Sequence, residues 1–229
     1  MPDALIIDAC RTPRGIGKQC KGALAHLHPQ HLASTVLAAL VERNGFDTAD
    51  VDYVVWGTSS QVSEQSGDLG RMAALYAGYD VKASGVTLDR FCGSGITANN
   101  IAATAIMSGM EDLVIAGGTE MMSLPKKGLM PMGANNKHLQ ELHPQPHQGV
   151  CADAIATLEG IPRTALDALA AESQARADQA IREGRFDRSL VPVLNLDGTV
   201  ALDHEEFPRP GTTAESLAQL PPSFTALAD

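Results

Sequence analysis

The sequence predicts an α/β fold: a mixed, mostly parallel sheet covered by helices, followed by an inserted, loop-rich domain. Two patterns carry this expectation. Over residues 4–119, short apolar runs of strand length alternate with stretches of helical periodicity, and strands separated by helix-length segments pair in parallel through crossovers. After Ser123 the alternation stops, and a tract with four prolines and three histidines precedes one long amphipathic segment. The expected division is a core at 1–119 and an insertion at 120–229.

The elements follow in order. Ala4–Ala9 (ALIIDA) reads as a strand. His31–Arg43 carries apolar positions at Leu32, Val36, Leu40 and at Ala33, Leu37, Val41, a helical stripe closed by Asn44-Gly45. Asp52–Trp56 reads as the next strand, and Leu69–Ala77 as a helix stopped by Gly78. Val86–Leu88 is a third strand, Gly95–Met107 a helix, and Leu113–Ala116 a fourth strand ending in Gly117-Gly118. Leu124–Val150 reads as a loop, because its prolines block ladders and helix interiors. Arg163–Glu183 is a long amphipathic helix. Val191–Leu196 is a strand leaving through the Asp197-Gly198 turn, and Asp203–Leu220 is irregular.

Composition narrows the function classes. The formal net charge is −10, with no basic stripe to neutralise phosphates, so nucleic acid is not an expected partner. No apolar run reaches the length of about 18 residues that spans a bilayer, so no membrane is expected either. The N-terminus, MPDALIIDACRTPRG, lacks a basic region followed by a long apolar core. Four scattered cysteines without a CxxC pair suit reduced thiols in the cytoplasm rather than disulfides or a metal.

One cysteine stands apart. In "LDRFCGSGITANN" Cys92 lies between a predicted strand and a predicted helix, at the carboxyl end of a sheet where ligands gather. A thiol at a helix N-terminus meets unpaired N–H groups and the positive end of the dipole, and both favour thiolate. Gly93 lets a substrate approach, and its N–H beside that of Cys92 is a candidate oxyanion donor, as are the 117–118 glycines. The helix that follows is small or apolar on nearly every side and is expected to be buried. Against this, free cysteines are commonly buried and inert.

"DRFCGSGITA" resembles the nucleophilic-cysteine signature of the thiolases. "DACRTPRGIGKQCKGALA" is similar to the opening strand and loop of that family, "GDLGRMAALYAG" to its arginine-containing helix start at Arg71, and "VIAGGTEMMS" to its glycine-glycine-acidic-Met-Ser strand end at Gly117, Gly118, Glu120 and Ser123. The stretch from Gly149 to Phe186 resembles the inserted loop domain, and "EEFPRPGTTAESLAQLPPSF" the segment that closes it. One departure is Asp89, where the family usually has a neutral polar residue. A carboxylate there disfavours thiolate if it points at the sulfur, unless the strand's alternation aims it elsewhere.

The resemblance implies the N-terminal half of a thiolase plus its loop domain. The implied activity is acyl transfer between CoA thioesters through an acyl-cysteine at Cys92, with Gly93 as backbone support. It implies coenzyme A as substrate, with no resident cofactor and no metal. His147, Gln148 and basic residues such as Arg209 or Lys126 are the candidate substrate contacts. The family's remaining acid/base groups lie in a second half whose Asn-Glu-Ala-Phe, Gly-His-Pro and Cys-x-Gly-Gly-Gly motifs do not occur here. That half is an expected partner, as is a second copy in a homodimer or homotetramer, and the chain alone is expected to be inactive. The condensing enzymes of ketide and fatty-acid synthesis are a rival, although their cysteine usually sits in Thr-Ala-Cys-Ser-Ser. A non-catalytic CoA-thioester-binding fragment or scaffold subunit is another. The other histidines are expected to be solvent-exposed loop residues.

Overall fold

The computed structural model describes residues 3–124 and 132–225. The chain divides into two compact units, one of Met1–Leu129 with Asp187–Phe207, the other of Met130–Phe186 with Pro208–Asp229. Residues 187–207 therefore belong with the core and not with the insertion that opens near 120 in the sequence.

The first unit is built on three parallel strands, β1 (Tyr53–Gly57), β2 (Ser84–Leu88) and β3 (Val114–Gly118), in the order β2-β1-β3. In register, Trp56 faces Thr87 on one side and Gly117 on the other. Helix α2 (Leu69–Tyr76) connects β1 to β2, and α3 (Ser94–Ser108) connects β2 to β3. Two right-handed crossovers that move in opposite directions across a sheet put their helices on opposite faces. Helix α1 (Pro29–Asn44) packs against α2. Together α1 and α2 bury Leu37, Leu69, Ala73 and Ala74 against Val54, Trp56 and Ile115. Val55 lies between two residues of that face, so alternation turns it to the other side, where α3 crosses β1.

Local chemistry sets the boundaries. Pro29 begins α1, His28 accepts from the Gln30 N–H, and Gly45 ends the helix in left-handed backbone. Asp68 caps α2 through the Arg71 N–H. Close approach requires glycine at two sheet positions. A Cβ on Gly57 would stand 2.8 Å from the Ser94 carbonyl carbon, and one on Gly117 would stand 2.5 Å from the Trp56 ring. The carboxyl end of β1 thus lies directly against the first residue of α3.

Several expectations change. Ala4–Ala9 enters no ladder: Ile6 is 90% exposed, and Leu5 and Ile7 are also open to solvent. Its apolar run is strand-like, but a strand needs a pairing edge, and neither outer strand of the sheet supplies one to this segment. The chain is instead tied at Asp8, which accepts from Arg43 and Asn44, and at Arg11, whose N–H donates to Ser189 O. Strand β4 shrinks to Val193–Leu194, pairing antiparallel with β5 (Val200–Leu202) across the expected Asp197-Gly198 turn. This hairpin packs on Leu24 and Leu27.

The second unit holds the long α6 (Arg163–Arg182), close to its expected span, with α4 (Lys137–Leu142), α5 (Gln148–Leu158) and α7 (Ala214–Ala218). Helix α4 and the start of α5 lie where a continuous loop is expected. Helix α7 lies in the stretch read as irregular, started by a reciprocal Thr213–Ser216 cap. No helix among the described residues is long and apolar enough to cross a membrane.

Candidate active site

Cys92 sits in the turn between β2 and α3, with its thiol exposed. The turn is tightly bonded. Phe91, just before the cysteine, adopts left-handed backbone at φ +50°, unusual for a bulky side chain. The buried Ser94 hydroxyl accepts from Arg90 N–H at 2.9 Å and donates to Phe91 O at 2.6 Å. Ser94 N–H donates to the same carbonyl at 3.0 Å. Asp89 aims its carboxylate at the Phe91 N–H, 2.7 Å away. The residue that departs from the family pattern therefore serves the backbone of the turn.

The amides of the first turn of α3, those of Gly95 and Ile96 among them, have no intrahelical acceptor, and no side chain caps them. A Cβ on Gly95 would meet nothing within 4 Å. The Gly93 N–H, expected as oxyanion support, is already donated to Arg90 O at 3.1 Å. Gly117 and Gly118 are ladder residues of β3 opposite Trp56 and Gly57. The first-turn amides of Gly95 and Ile96 lie two and three residues beyond Gly93.

Two loops beside the site are joined by a buried glutamine. Gln65 donates to Ser60 O and to Glu120 at 3.1 Å, and accepts from Met121 N–H at 2.6 Å. Glu120 in turn accepts from Ser59 N–H at 2.8 Å. Glu120 was visible in its motif, whereas nothing in the sequence marks Gln65 as buried. A serine two positions after the cysteine could have suggested the Ser94 bonds.

The remaining candidates lie in the second unit. His147 is the N-cap of α5, where its Nδ1 accepts from Gly149 N–H at 3.0 Å, and its ring stacks at 5.0 Å on Phe224. Gln148 begins α5 and is exposed. Arg209 donates its N–H to Gln174, and its carbonyl accepts from the Thr212 hydroxyl. Lys126 lies outside the described residues. His26 is exposed in the loop before α1 as expected, whereas His31 lies half-buried within α1. His26 Nε2 donates to Asn195 and His31 Nε2 to Leu194 O, at 2.8 and 2.7 Å, fastening the hairpin to the start of α1.

Of the other thiols, Cys10 is half-buried against Val36 O, and burial pushes its pKa up. Cys20 is exposed and Cys151 half-buried, and all four are free. Among the described residues no group of three or more His, Cys, Asp or Glu could hold a metal.

A parallel α/β layer with an exposed thiol at the carboxyl end of its sheet, joined to a small helical unit, defines a structural class, and comparison narrows it. Residues 4–227 match the family described as thiolase, N-terminal domain, so the chain belongs to the thiolase family. It is 35% identical to a 3-ketoacyl-CoA thiolase of Vibrio vulnificus over 98% of its own length and 58% of that relative. The corresponding protein of Shewanella loihica is 36% identical with the same coverage. The crystal structure of the Bacillus anthracis acetyl-CoA acetyltransferase superposes with a TM-score of 0.83 at 31% identity, covering 96% of this chain and 59% of that one. The chain thus spans about three-fifths of the length of the relatives it matches.

Proposed function

We propose that this chain carries the acyl-accepting part of a thiolase-type transferase, with Cys92 as nucleophile. The observation that carries the reading is the exposed thiol at the junction of β2 with an uncapped helix, in a chain whose relatives are named for CoA-thioester chemistry. In the degradative direction the Cys92 thiolate attacks C3 of a 3-ketoacyl-CoA. The C2–C3 bond breaks, its electron pair leaves on the acetyl-CoA carbon, and that carbon takes a proton. Free CoA then attacks the acyl-cysteine and regenerates the thiolate. The amides of Gly95 and Ile96 are the open donors for the oxygen that gains charge, with Gly93 shaping the approach. Coenzyme A is a substrate; His147, Gln148 and Arg209 are its proposed contacts.

The proton transfers need acid/base groups. No hydrogen bond among the described residues links the Cys92 thiol to a histidine or carboxylate. We assign those groups to a polypeptide equivalent to the rest of the relatives' length, and place the working assembly, a homodimer or homotetramer, in the cytoplasm. The same observation favours a second reading, in which this chain binds CoA thioesters without turning them over. Incubation of this chain, together with that polypeptide, with a short acyl-CoA, followed by peptide mapping, tests the first. The acyl group is expected on Cys92 alone, and Cys92→Ser should abolish labelling with little change in thermal stability, because the side chain is exposed. Acyl found on Cys10, Cys20 or Cys151 would sink the assignment. Turnover by this chain unaided would show that the partner is unnecessary.

A further inference from the structure

The strained residue beside Cys92 is held by hydrogen bonds and not by burial. Left-handed backbone is disfavoured for every residue with a Cβ, and the Phe91 ring is 60% exposed, so burial does not anchor it. The backbone of residues 90–91 is fixed by hydrogen bonds from two directions. On the helix side, buried Ser94 holds the Phe91 carbonyl and the Arg90 N–H, and its own backbone is pressed against Gly57. On the solvent side stands the Asp89 carboxylate, bonded to the Phe91 N–H.

We propose that Asp89 is a positioning residue for Cys92: its carboxylate oxygen holds the Phe91 amide and so maintains the left-handed turn that presents the thiol at the head of α3. The proposal rests on the reading of Cys92 as the nucleophile. Asp89 is itself exposed and contributes nothing to the apolar core, so its effect is local. The device needs an acceptor and not a charge. Asparagine therefore serves as well as aspartate, and glycine at position 91 makes the acceptor dispensable, because glycine adopts positive φ without cost.

The test compares Cys92 alkylation by iodoacetamide in the full chain, resolved by peptide mapping, with exposed Cys20 of the same molecule as internal reference. Asp89→Asn and Asp89→Ala remove the same charge and differ in the acceptor. Alkylation of Cys92 in Asp89→Ala is expected to be about two- to fivefold slower than in Asp89→Asn, the factor that the end of a helix dipole supplies to a well-placed thiolate. Adding Phe91→Gly to Asp89→Ala should restore the Asp89→Asn rate. Equal rates in the two single variants would overturn the proposal, and so would failure of Phe91→Gly to restore the rate. Unfolding of Asp89→Ala that Phe91→Gly does not repair would overturn it as well. A separate arm with a short acyl-CoA keeps the two readings apart. If wild-type Cys92 is never acylated even with the polypeptide proposed to supply the acid/base groups present, while the alkylation pattern holds, the catalytic assignment fails and the positioning role stands.

Discussion

Leu37 in the first unit and Leu158 in the second are the same side chain in opposite circumstances: Leu37 has no exposed surface, whereas Leu158 keeps 83%. The contrast extends to their surroundings. The first unit buries Trp56, Leu37, Leu69, Val54 and Ile115 in one cluster between α1, α2 and the sheet. In the second unit Asp167 is the sole buried residue among those described, and α5 and α7 bury none. Its helices rest on caps and i,i+4 ion pairs such as Arg176–Glu172 and Arg182–Asp178, which at exposed sites contribute about 0.3–0.5 kcal/mol each. Burial holds the first unit, and local bonding shapes the second.

The largest expected effect lies in the first unit. Leu37→Ala removes a fully buried side chain from the center of the cluster, beside the Leu37 carbonyl that accepts from the Tyr79 hydroxyl. It should cost roughly 3–5 kcal/mol, read as a loss in denaturant midpoint at unchanged slope. A cost below about 1 kcal/mol would mean that this cluster is not what holds the sheet.

The same contrast explains what the sequence revealed. Elements with both a pattern and a local signal were legible: α1 as a helical stripe closed by Gly45, β1 as the short apolar run at Asp52–Trp56, α3 after a glycine turn. The place of Cys92 in the fold was legible for the same reason, since strand–turn–helix is a local arrangement. Elements whose fate depends on distant partners were not. Ala4–Ala9 has a strand's composition and lacks a neighbouring edge. The exposed side of α3, with Ile96, Ile101 and Met107, departs from the all-round burial its composition suggests, because the sheet covers only the stripe of Ser94, Ala98 and Ala102. Helix α5, rich in small residues and preceded by prolines, gave a weak stripe. The reassignment of residues 187–207 depends on contacts nearly 200 positions apart, which no periodicity encodes.

Those contacts give the intermediate test. The side chain of Glu205 is only 3% exposed and meets Arg11 and Arg14, accepting also from the Arg14 N–H at 3.0 Å. Its neighbor Glu206 accepts from Ile16 N–H at 2.9 Å and from Ala23 N–H. Burial pushes the Glu205 carboxyl up, but the Arg14 amide and the two guanidinium groups more than reverse this, leaving it below its ordinary value of 4.5. A depressed pKa stabilises the fold above the unfolded value, and the contribution is lost as pH falls through the folded value. Glu205→Gln should cost about 1–3 kcal/mol at pH 7. The gap from wild type should close as pH drops below about 4.5. A gap that persists in acid would mean that packing of the side chain, and not its charge, fastens residues 187–207 to the core.

The smallest effect is expected at Leu158, where it is the most informative about the second unit. The side chain is largely in water already, so Leu158→Ala removes little burial and should change stability by less than about 0.5 kcal/mol. Set against Leu37→Ala, the same chemical change then differs several-fold between the units, as burial alone requires. Repeating the measurement after adding a polypeptide equivalent to the rest of the relatives' length, the partner proposed above, turns the pair into a probe of assembly. If that partner covers α5, the Leu158→Ala cost should rise toward that of a buried leucine while the Leu37→Ala cost stays fixed. If both costs stay unchanged, α5 remains solvent-facing in the assembled protein. A large cost in the chain alone would break the comparison outright, because it would mean that the second unit has a core on which Leu158 depends.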